Sequence, residues 1–82
     1  MNQTVVYPRK VIERALAYNA VGLVLVHNHP SGDPSPSPDD IAITKAIIEA
    51  GKLLDIQVLD HLIIGQGRFI SLNRRGLGFS DP

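Results

Sequence analysis

A run of apolar residues leads directly into two histidines in the stretch Leu23-Val24-Leu25-Val26-His27-Asn28-His29-Pro30. Four consecutive apolar residues are typical of a strand that is buried on both faces, in a sheet whose two faces are covered. The stretch therefore predicts a covered central strand that runs into His27.

A stiff loop follows this strand. Residues 30–38 read Pro-Ser-Gly-Asp-Pro-Ser-Pro-Ser-Pro, with four prolines and one glycine. Such a composition disfavours helix and sheet because proline removes donors and restricts the residue before it. A helix is then predicted from about residue 38 to 54. Its apolar stripe is Ile43, Ala46, Ile47, Ala50 and Leu53, and the residues expected to face away are Thr44, Lys45, Glu49 and Lys52.

Further elements are predicted before and after this strand, loop and helix. Upstream, residues 4–7 are β-prone, and a helical period over residues 8–19 is closed by Gly22. Gly51 lies inside the second helical pattern, where glycine costs about 1 kcal/mol relative to alanine, so this helix can also end near 51. Downstream, residues 57–64 predict a strand, 65–67 a turn and 68–72 a returning strand, before a glycine-bearing, partly basic tail. The order β-α-β-loop-α-β-β predicts an α/β domain over residues 1–82, with a mixed sheet and flanking helices.

Composition restricts the class of protein. The chain has 82 residues, eight Lys and Arg against eight Asp and Glu, and no cysteine. A net charge of zero disfavours a strongly basic nucleic-acid binder, and the lack of cysteine excludes disulfides and thiolate zinc sites. No apolar stretch is long enough to span a membrane and no signal peptide is visible, so we expect a soluble, cytoplasmic domain. A domain this small is marginal without a metal, a partner or more chain.

The two histidines are candidate metal ligands. His27 and His29 are separated by one residue in extended chain, so their imidazoles point the same way. The rigid loop delivers Asp40 on the first turn of the next helix as a third ligand. Two histidines and one carboxylate leave one position of a tetrahedral zinc open, which is the pattern of a catalytic rather than a structural site.

Each of these residues also has a structural interpretation. His27 and His29 can be strand-end histidines that hydrogen-bond to loop carbonyls. Ser37 can be a helix N-cap with Pro38 at the first helical position, and Asp40 can belong to the acidic first turn. Asp60 and His61 can be structural, or they can orient a ligand imidazole by interacting with it behind the metal. Three basic residues are candidates for contact with nucleic acid or an acidic peptide: Arg68, Arg74 and Arg75. A solvated basic tail is the simpler interpretation of them.

The spacing His27-x-His29-Pro30-x6-Ser37-x-x-Asp40 resembles the JAMM (MPN+) metalloprotease motif. Flanking segments narrow the resemblance to the C-terminal domain of bacterial RadC-type proteins, over nearly the whole chain. These segments are Val6-Tyr7-Pro8-Arg9, His27-Asn28-His29-Pro30-Ser31-Gly32, Leu59-Asp60-His61-Leu62-Ile63-Ile64-Gly65 and Phe69-Ile70-Ser71-Leu72.

The resemblance implies a cytidine-deaminase-like α/β/α sandwich and a Zn²⁺ ion held at His27, His29 and Asp40. It implies hydrolysis of peptide or isopeptide bonds by a metal-activated water, with the Ser37 hydroxyl donating to the oxyanion. In the family, a glutamate on an earlier strand is the general base. Glu13, the only carboxylate upstream of His27, does not match that position. We therefore expect a chain that lacks its first strand or strands, and whose own activity is reduced.

Two functions from different classes follow as expectations. The first is a JAMM-type zinc hydrolase acting on a peptide or protein substrate. The alternative is a non-catalytic accessory module of DNA repair or replication with a structural or vestigial metal site. Direct DNA binding is disfavoured by the zero net charge and by four aromatics without a basic stripe. Nucleoside deamination is disfavoured because it uses a cysteine-bearing zinc motif. A sheet that lacks its leading strands would expose an edge and apolar helix faces, which predicts self-association into a homo-oligomer.

Overall fold

A computed structural model describes residues 6–79 of the chain. Three strands form one mixed sheet in the order β1-β2-β3, in which β1 and β2 are parallel and β2 and β3 antiparallel. The elements are α1 (Pro8–Ala17), β1 (Gly22–Asn28), α2 (Pro38–Leu53), β2 (Gln57–Gly65), β3 (Arg68–Ser71) and α3 (Leu72–Arg75). The predicted α/β class, with a mixed sheet and flanking helices, is confirmed.

The first predicted strand is only partly within the described residues. Thr4 and Val5 lie outside them, and Val6 and Tyr7 are neither helical nor in the sheet. Tyr7 is instead the N-cap residue of α1, with Pro8 in the first turn, where a missing N–H costs nothing. No helix among residues 6–79 is long and apolar enough to cross a membrane.

Helix α1 ends earlier than its sequence pattern predicts. Asn19 adopts a positive φ of 55°, and the Ala20 N–H donates to the Ala15 carbonyl. Asparagine tolerates the left-handed region better than most residues, so it ends the helix here. Gly22, expected to close the helix, is the first residue of β1.

The prediction that β1 is buried on both faces is wrong. Val24 is 47% exposed and Val26 62% exposed, whereas Leu23 and Leu25 pack against the helices. Among the described residues β1 is an edge strand and β2 is the central one. A continuous apolar run does not distinguish a strand covered on two faces from an edge strand with one open apolar face.

Helix α2 is rotated relative to its predicted stripe. Thr44, expected to face solvent, is completely buried, whereas Leu53 is 86% exposed. The buried residues of α2 are Asp40, Thr44, Ile47 and Gly51. Gly51 does not end the helix: a Cβ there would lie 2.4 Å from the Ile56 carbonyl oxygen, so glycine allows the turn into β2 to pack against α2.

The core lies between the helices and one face of the sheet. Ile12 of α1, Ile47 of α2 and Val58 of β2 form its buried cluster. Strands β2 and β3 and the turn between them agree with the prediction, but Leu72 begins α3 instead of ending β3. The short helix α3 lies in the segment that was predicted to be an irregular tail, and four residues carry no detectable helical period.

Candidate metal centre

The ends of β1 and α2 meet at one point of the fold. His27 is close to the end of β1, His29 follows the strand, and Asp40 lies in the first turn of α2. The donor atoms of these three side chains all lie within 4.8 Å of one another. His27 Nδ1 is 3.4 Å from Asp40 Oδ1, and His29 Nε2 is 3.1 Å from Asp40 Oδ2. The structure thus brings together the three residues that the sequence singled out as ligands.

A backbone carbonyl orients the His29 imidazole. His29 Nδ1 is 2.9 Å from the Asp33 carbonyl oxygen, which can only accept a hydrogen bond, so Nδ1 carries the proton. In the neutral ring, Nε2 then presents a lone pair to the Asp40 carboxylate. Two acceptors that face each other need a proton or a cation between them.

His27 supplies a second inward-facing nitrogen. Its Nδ1 is buried and has no hydrogen-bond partner among the described residues, and the nearest carboxylate oxygen, Asp40 Oδ1, lies 3.4 Å away without forming a hydrogen bond. Buried polar atoms are nearly always partnered, and an exception of this kind indicates an ion, a water molecule or a catalytic role.

The start of α2 holds the Asp40 carboxylate in position. Ser37 is the N-cap and forms a capping box with Asp40: its Oγ accepts from the Asp40 N–H at 3.1 Å, and Asp40 Oδ2 accepts from the Ser37 N–H at 2.8 Å. Burial raises the pKa of Asp40, but the hydrogen bonds from Ser37 outweigh it, so the pKa is held below its ordinary value. Asp40 is therefore an ionised carboxylate. The predicted N-cap role of Ser37 is observed, and the same helix start places the Asp40 carboxylate beside the two histidines.

Thr44 is a residue that the sequence interpretation missed. One turn after Asp40, its Oγ1 donates to the Asp40 carbonyl at 2.7 Å and lies 2.6 Å from His61 Nδ1. The rings of His61 and His27 are stacked, with centroids 6.1 Å apart and planes inclined by 25°. The i+4 spacing from Asp40 was the available signal, because it places Thr44 on the same helix face.

His61, predicted to be structural or to orient a ligand imidazole, is only 2% exposed. Burial lowers its pKa, and the neighbouring His27 lowers it further, so the ring is neutral at physiological pH. A neutral ring is compatible with the hydrogen bond to Thr44. Because the Thr44 hydroxyl donates its hydrogen bond to the Asp40 carbonyl, Thr44 Oγ1 accepts a hydrogen bond from His61 Nδ1–H.

Asp60, also predicted to be structural or to orient a ligand imidazole, has a carboxylate that binds groups outside the candidate metal centre. It accepts from the His61 N–H, the Ser71 hydroxyl and the Asn73 N–H, and so holds α3 against β2. Burial raises the pKa of Asp60, but these hydrogen bonds, that from Ser71 first, lower it below the ordinary value.

The loop between His29 and α2 is packed onto the end of β2. The His29 N–H donates to the Ile64 carbonyl, and the Gly32 N–H donates back to the His29 carbonyl. A Cβ on Gly65 would lie 2.4 Å from the Gly32 carbonyl oxygen, so two glycines permit this approach. The loop, which also supplies the Asp33 carbonyl, is thereby fixed relative to β1 and β2.

The donor set fits a zinc ion. Two ligands that each lie about 2 Å from a tetrahedral zinc are about 3.3 Å apart, and such sites take imidazole nitrogen and carboxylate oxygen. The separations of each histidine from its nearer Asp40 oxygen, 3.4 Å to Oδ1 and 3.1 Å to Oδ2, are close to that spacing, and the three donor atoms lie within 4.8 Å of one another. The three side chains are 8–16% exposed, so solvent reaches the site.

Other predicted candidates lie away from this group. Glu13 is on the exposed side of α1, where it pairs with Lys10 at 3.5 Å. Arg74 and Arg75 are exposed in the last turn of α3. Arg68 begins β3 and is also exposed.

Comparisons with known proteins identify relatives over the entire chain. A UPF0758 protein of Roseiflexus castenholzii is 54% identical over 82 residues, which are 100% of this chain and 35% of that protein. A UPF0758 protein of Chloroflexus aurantiacus is 52% identical over 79 residues, covering 96% of this chain and 34% of the relative. One from Methanosarcina barkeri is 51% identical over 76 residues, covering 93% and 33%. The chain thus spans about a third of the length of the curated relatives it matches.

A family model described as "RadC-like JAB domain" matches residues 1–77. This match covers the histidine pair, the loop and the helix start on which the motif resemblance depended, and it confirms that resemblance. On this evidence, the chain belongs to the RadC-like JAB domain family.

Proposed function

We propose that this domain is the metal-binding core of a zinc-dependent hydrolase that cleaves peptide or isopeptide bonds. The observation that carries the proposal is the convergence of His27, His29 and Asp40 within 4.8 Å. Two features support a cation at this point: His29 Nε2 lies 3.1 Å from the Asp40 carboxylate, and His27 Nδ1 is buried without a hydrogen-bond partner among the described residues.

A zinc ion at this site would polarise a bound carbonyl and lower the pKa of a water molecule. The chain's own residues prepare the site for that chemistry. The Asp33 carbonyl sets the His29 tautomer, and the capping box keeps Asp40 ionised and oriented. Partial exposure of the side chains leaves an approach for a carbonyl group.

Ser37 is proposed as a hydrogen-bond donor to the developing oxyanion. Its Oγ accepts a hydrogen bond from the Asp40 N–H, and a hydroxyl that accepts one hydrogen bond can still donate another through its own O–H. The cap therefore fixes the position of the hydroxyl without consuming its donor capacity.

We propose no residue among residues 6–79 as the general base. Glu13 is excluded as the base, since it is exposed on α1 and paired with Lys10. Loss of a general base typically lowers a rate by about 10² to 10⁴. We therefore expect the 82-residue chain to bind zinc but to hydrolyse amides poorly.

The alternative, an accessory module of DNA repair with a structural or vestigial metal site, is less well supported. A structural zinc site normally has four protein ligands and is closed. Among residues 6–79, three donors converge and remain partly accessible, which favours an open position. The exposed arginines of α3 form only a pair, not a stripe.

The test is metal stoichiometry on the full chain, purified without added metal and then titrated with Zn²⁺. We expect about one zinc per chain, with loss in His29→Ala and in Asp40→Ala, because three protein ligands are needed to hold a catalytic zinc. Asp39→Ala is the matched control, since Asp39 is the neighbouring exposed carboxylate in the same helical turn.

Zinc retained by the parent and the control but lost from both ligand variants would support the proposal. Equal binding by all four proteins would contradict it. Steep salt dependence of DNA association by the parent would favour the accessory module instead.

A further inference from the structure

Beneath the candidate metal centre lies a polar pair, Thr44 and His61, in the least accessible part of the molecule. Thr44 is 0% exposed and His61 2%, and their neighbours in sequence include Ile47 and Ile63, both also 0% exposed. The pair joins α2 to β2 through the contact of 2.6 Å between Thr44 Oγ1 and His61 Nδ1.

Stability alone does not call for this pair. Replacing both members of a buried hydrogen bond by apolar groups of similar shape is often nearly neutral. Valine at 44 has almost the volume of threonine, and an apolar residue at 61 would lie between the buried Val58 and Ile63 of the same strand. The hydroxyl and the imidazole therefore call for an explanation in their positions rather than in their burial.

Their positions connect the two elements that carry the donors. Thr44 Oγ1 donates to the carbonyl of Asp40, so it reaches the residue whose carboxylate faces the histidines. His61 lies on β2 opposite Leu25, two residues before the level of His27, and its ring is stacked on the His27 ring. The chain Asp40–Thr44–His61–His27 thus runs from the first turn of α2 to the end of β1.

We propose that Thr44 and His61 are positioning residues for the metal centre, holding Asp40 and His27 at the separation that a metal ion requires. The proposal rests on the proposed function, since it assigns a role toward the same ion. Neither residue is a ligand. Without their hydrogen bond, the start of α2 loses its tie to β2, and the gap between Asp40 and His27 is no longer fixed.

The experiment measures Zn²⁺ affinity of the full chain by competition with a chromophoric chelator. Thr44→Val removes the hydroxyl and keeps the shape, and Thr44→Ser keeps the hydroxyl. Loss of an outer hydrogen-bonding partner typically weakens metal binding about 10- to 100-fold. We expect that loss in Thr44→Val, recovery close to the parent in Thr44→Ser, and an altered visible spectrum of Co²⁺ bound to Thr44→Val.

Two further variants separate positioning from packing. The double variant Thr44→Val/His61→Phe replaces the pair by apolar side chains and leaves no unpartnered group, so we expect it to fold and still bind zinc weakly. Ile47→Val perturbs the same helix in the core without touching the pair, and should bind like the parent. Thermal unfolding of the metal-free proteins records the structural effect of each change.

Parent-like affinity and an unchanged Co²⁺ spectrum in both Thr44→Val and the double variant would overturn the inference. Equal losses in Thr44→Ser or Ile47→Val would do so too, since the hydroxyl would not then be responsible. Failure of the parent itself to bind zinc would overturn the proposed function and this inference together. A parent that binds zinc, with insensitive Thr44 variants, would overturn the inference alone.

Discussion

Single side chains of this domain combine a structural role with a position in the proposed metal centre. The Ser37 hydroxyl caps α2 as an acceptor and keeps a proton to donate, and Asp40 closes the capping box with the same carboxylate that faces the histidines. Asp60 shows a purely structural version of the same chemistry, since its carboxylate holds three donors between β2 and α3. Ionised carboxylates with several donors make the strongest of these bonds.

We expect Asp60 to stabilise the fold in a pH-dependent way. Its pKa is lower in the folded chain than its ordinary value of 3.8, so its stabilisation is present above 3.8 and lost as the pH falls through the folded pKa. Asp60→Asn should cost about 2 kcal/mol at neutral pH, since hydrogen bonds to a charged group are lost. It should also reduce the loss of stability that the parent shows on acidification.

Urea unfolding between about pH 6 and about pH 3 measures both effects. Asp55→Asn is the control, since Asp55 is exposed and has a positive φ that asparagine tolerates. An acid profile of Asp60→Asn that parallels the parent's would show that Asp60 does not carry this dependence.

The packing of elements depends on glycines where backbones approach. Gly51 lets the turn into β2 pass close to α2, and Gly65 lets the loop after His29 lie on the end of β2. The second contact matters for the site, because the same loop supplies the Asp33 carbonyl that orients His29.

Gly65→Ala should therefore weaken zinc binding as well as stability. The added Cβ would lie 2.4 Å from the Gly32 carbonyl oxygen, so the loop must shift. Overpacking of this kind costs about 1 to 3 kcal/mol. Gly22→Ala is the control, because its Cβ would meet its nearest atom at an ordinary 3.5 Å.

Chelator competition and thermal unfolding of both variants test this expectation. A Gly65→Ala chain that binds zinc like the parent would show that the loop position does not govern His29. A loss as large in Gly22→Ala would point to a general weakening of the fold.

For the whole molecule, the distribution of apolar surface is uneven. The helices cover one face of the sheet, and the opposite face presents exposed side chains of β1, β2 and β3: Val24, Val26, Ile64 and Phe69. Exposed apolar faces and open strand edges are typical sites of association.

We expect weak, concentration-dependent self-association through this face. A stable interface typically buries about 800 Å² on each partner, so a face of few exposed side chains favours weak over tight association. Val26→Lys, on a 62% exposed edge position, should shift the chain toward monomer. Val21→Lys is the control, since Val21 is 80% exposed but precedes β1.

Sedimentation velocity over micromolar concentrations measures the equilibrium. A parent chain that stays monomeric over that range would rule out the association. A shift of equal size in Val21→Lys would assign it to net charge instead of to the sheet face.

The sequence by itself determined the α/β class, the element order from α1 to β3, and the three residues that converge at the site. These are local properties: a helical period, an apolar run and a fixed spacing between His27, His29 and Asp40. Family membership was evident from the same residues, because the spacing of the motif and its flanking segments is read directly from the chain.

Only the tertiary structure decided which faces are covered. The apolar run of β1 is an edge strand with Val24 and Val26 exposed, and the buried side of α2 contains Thr44 and not Leu53. Hydropathy ranks threonine as a surface residue, but its hydroxyl is satisfied here by the Asp40 carbonyl and by His61, 17 residues away. Such a pairing depends on how α2 lies across β2, and no local pattern contains that information.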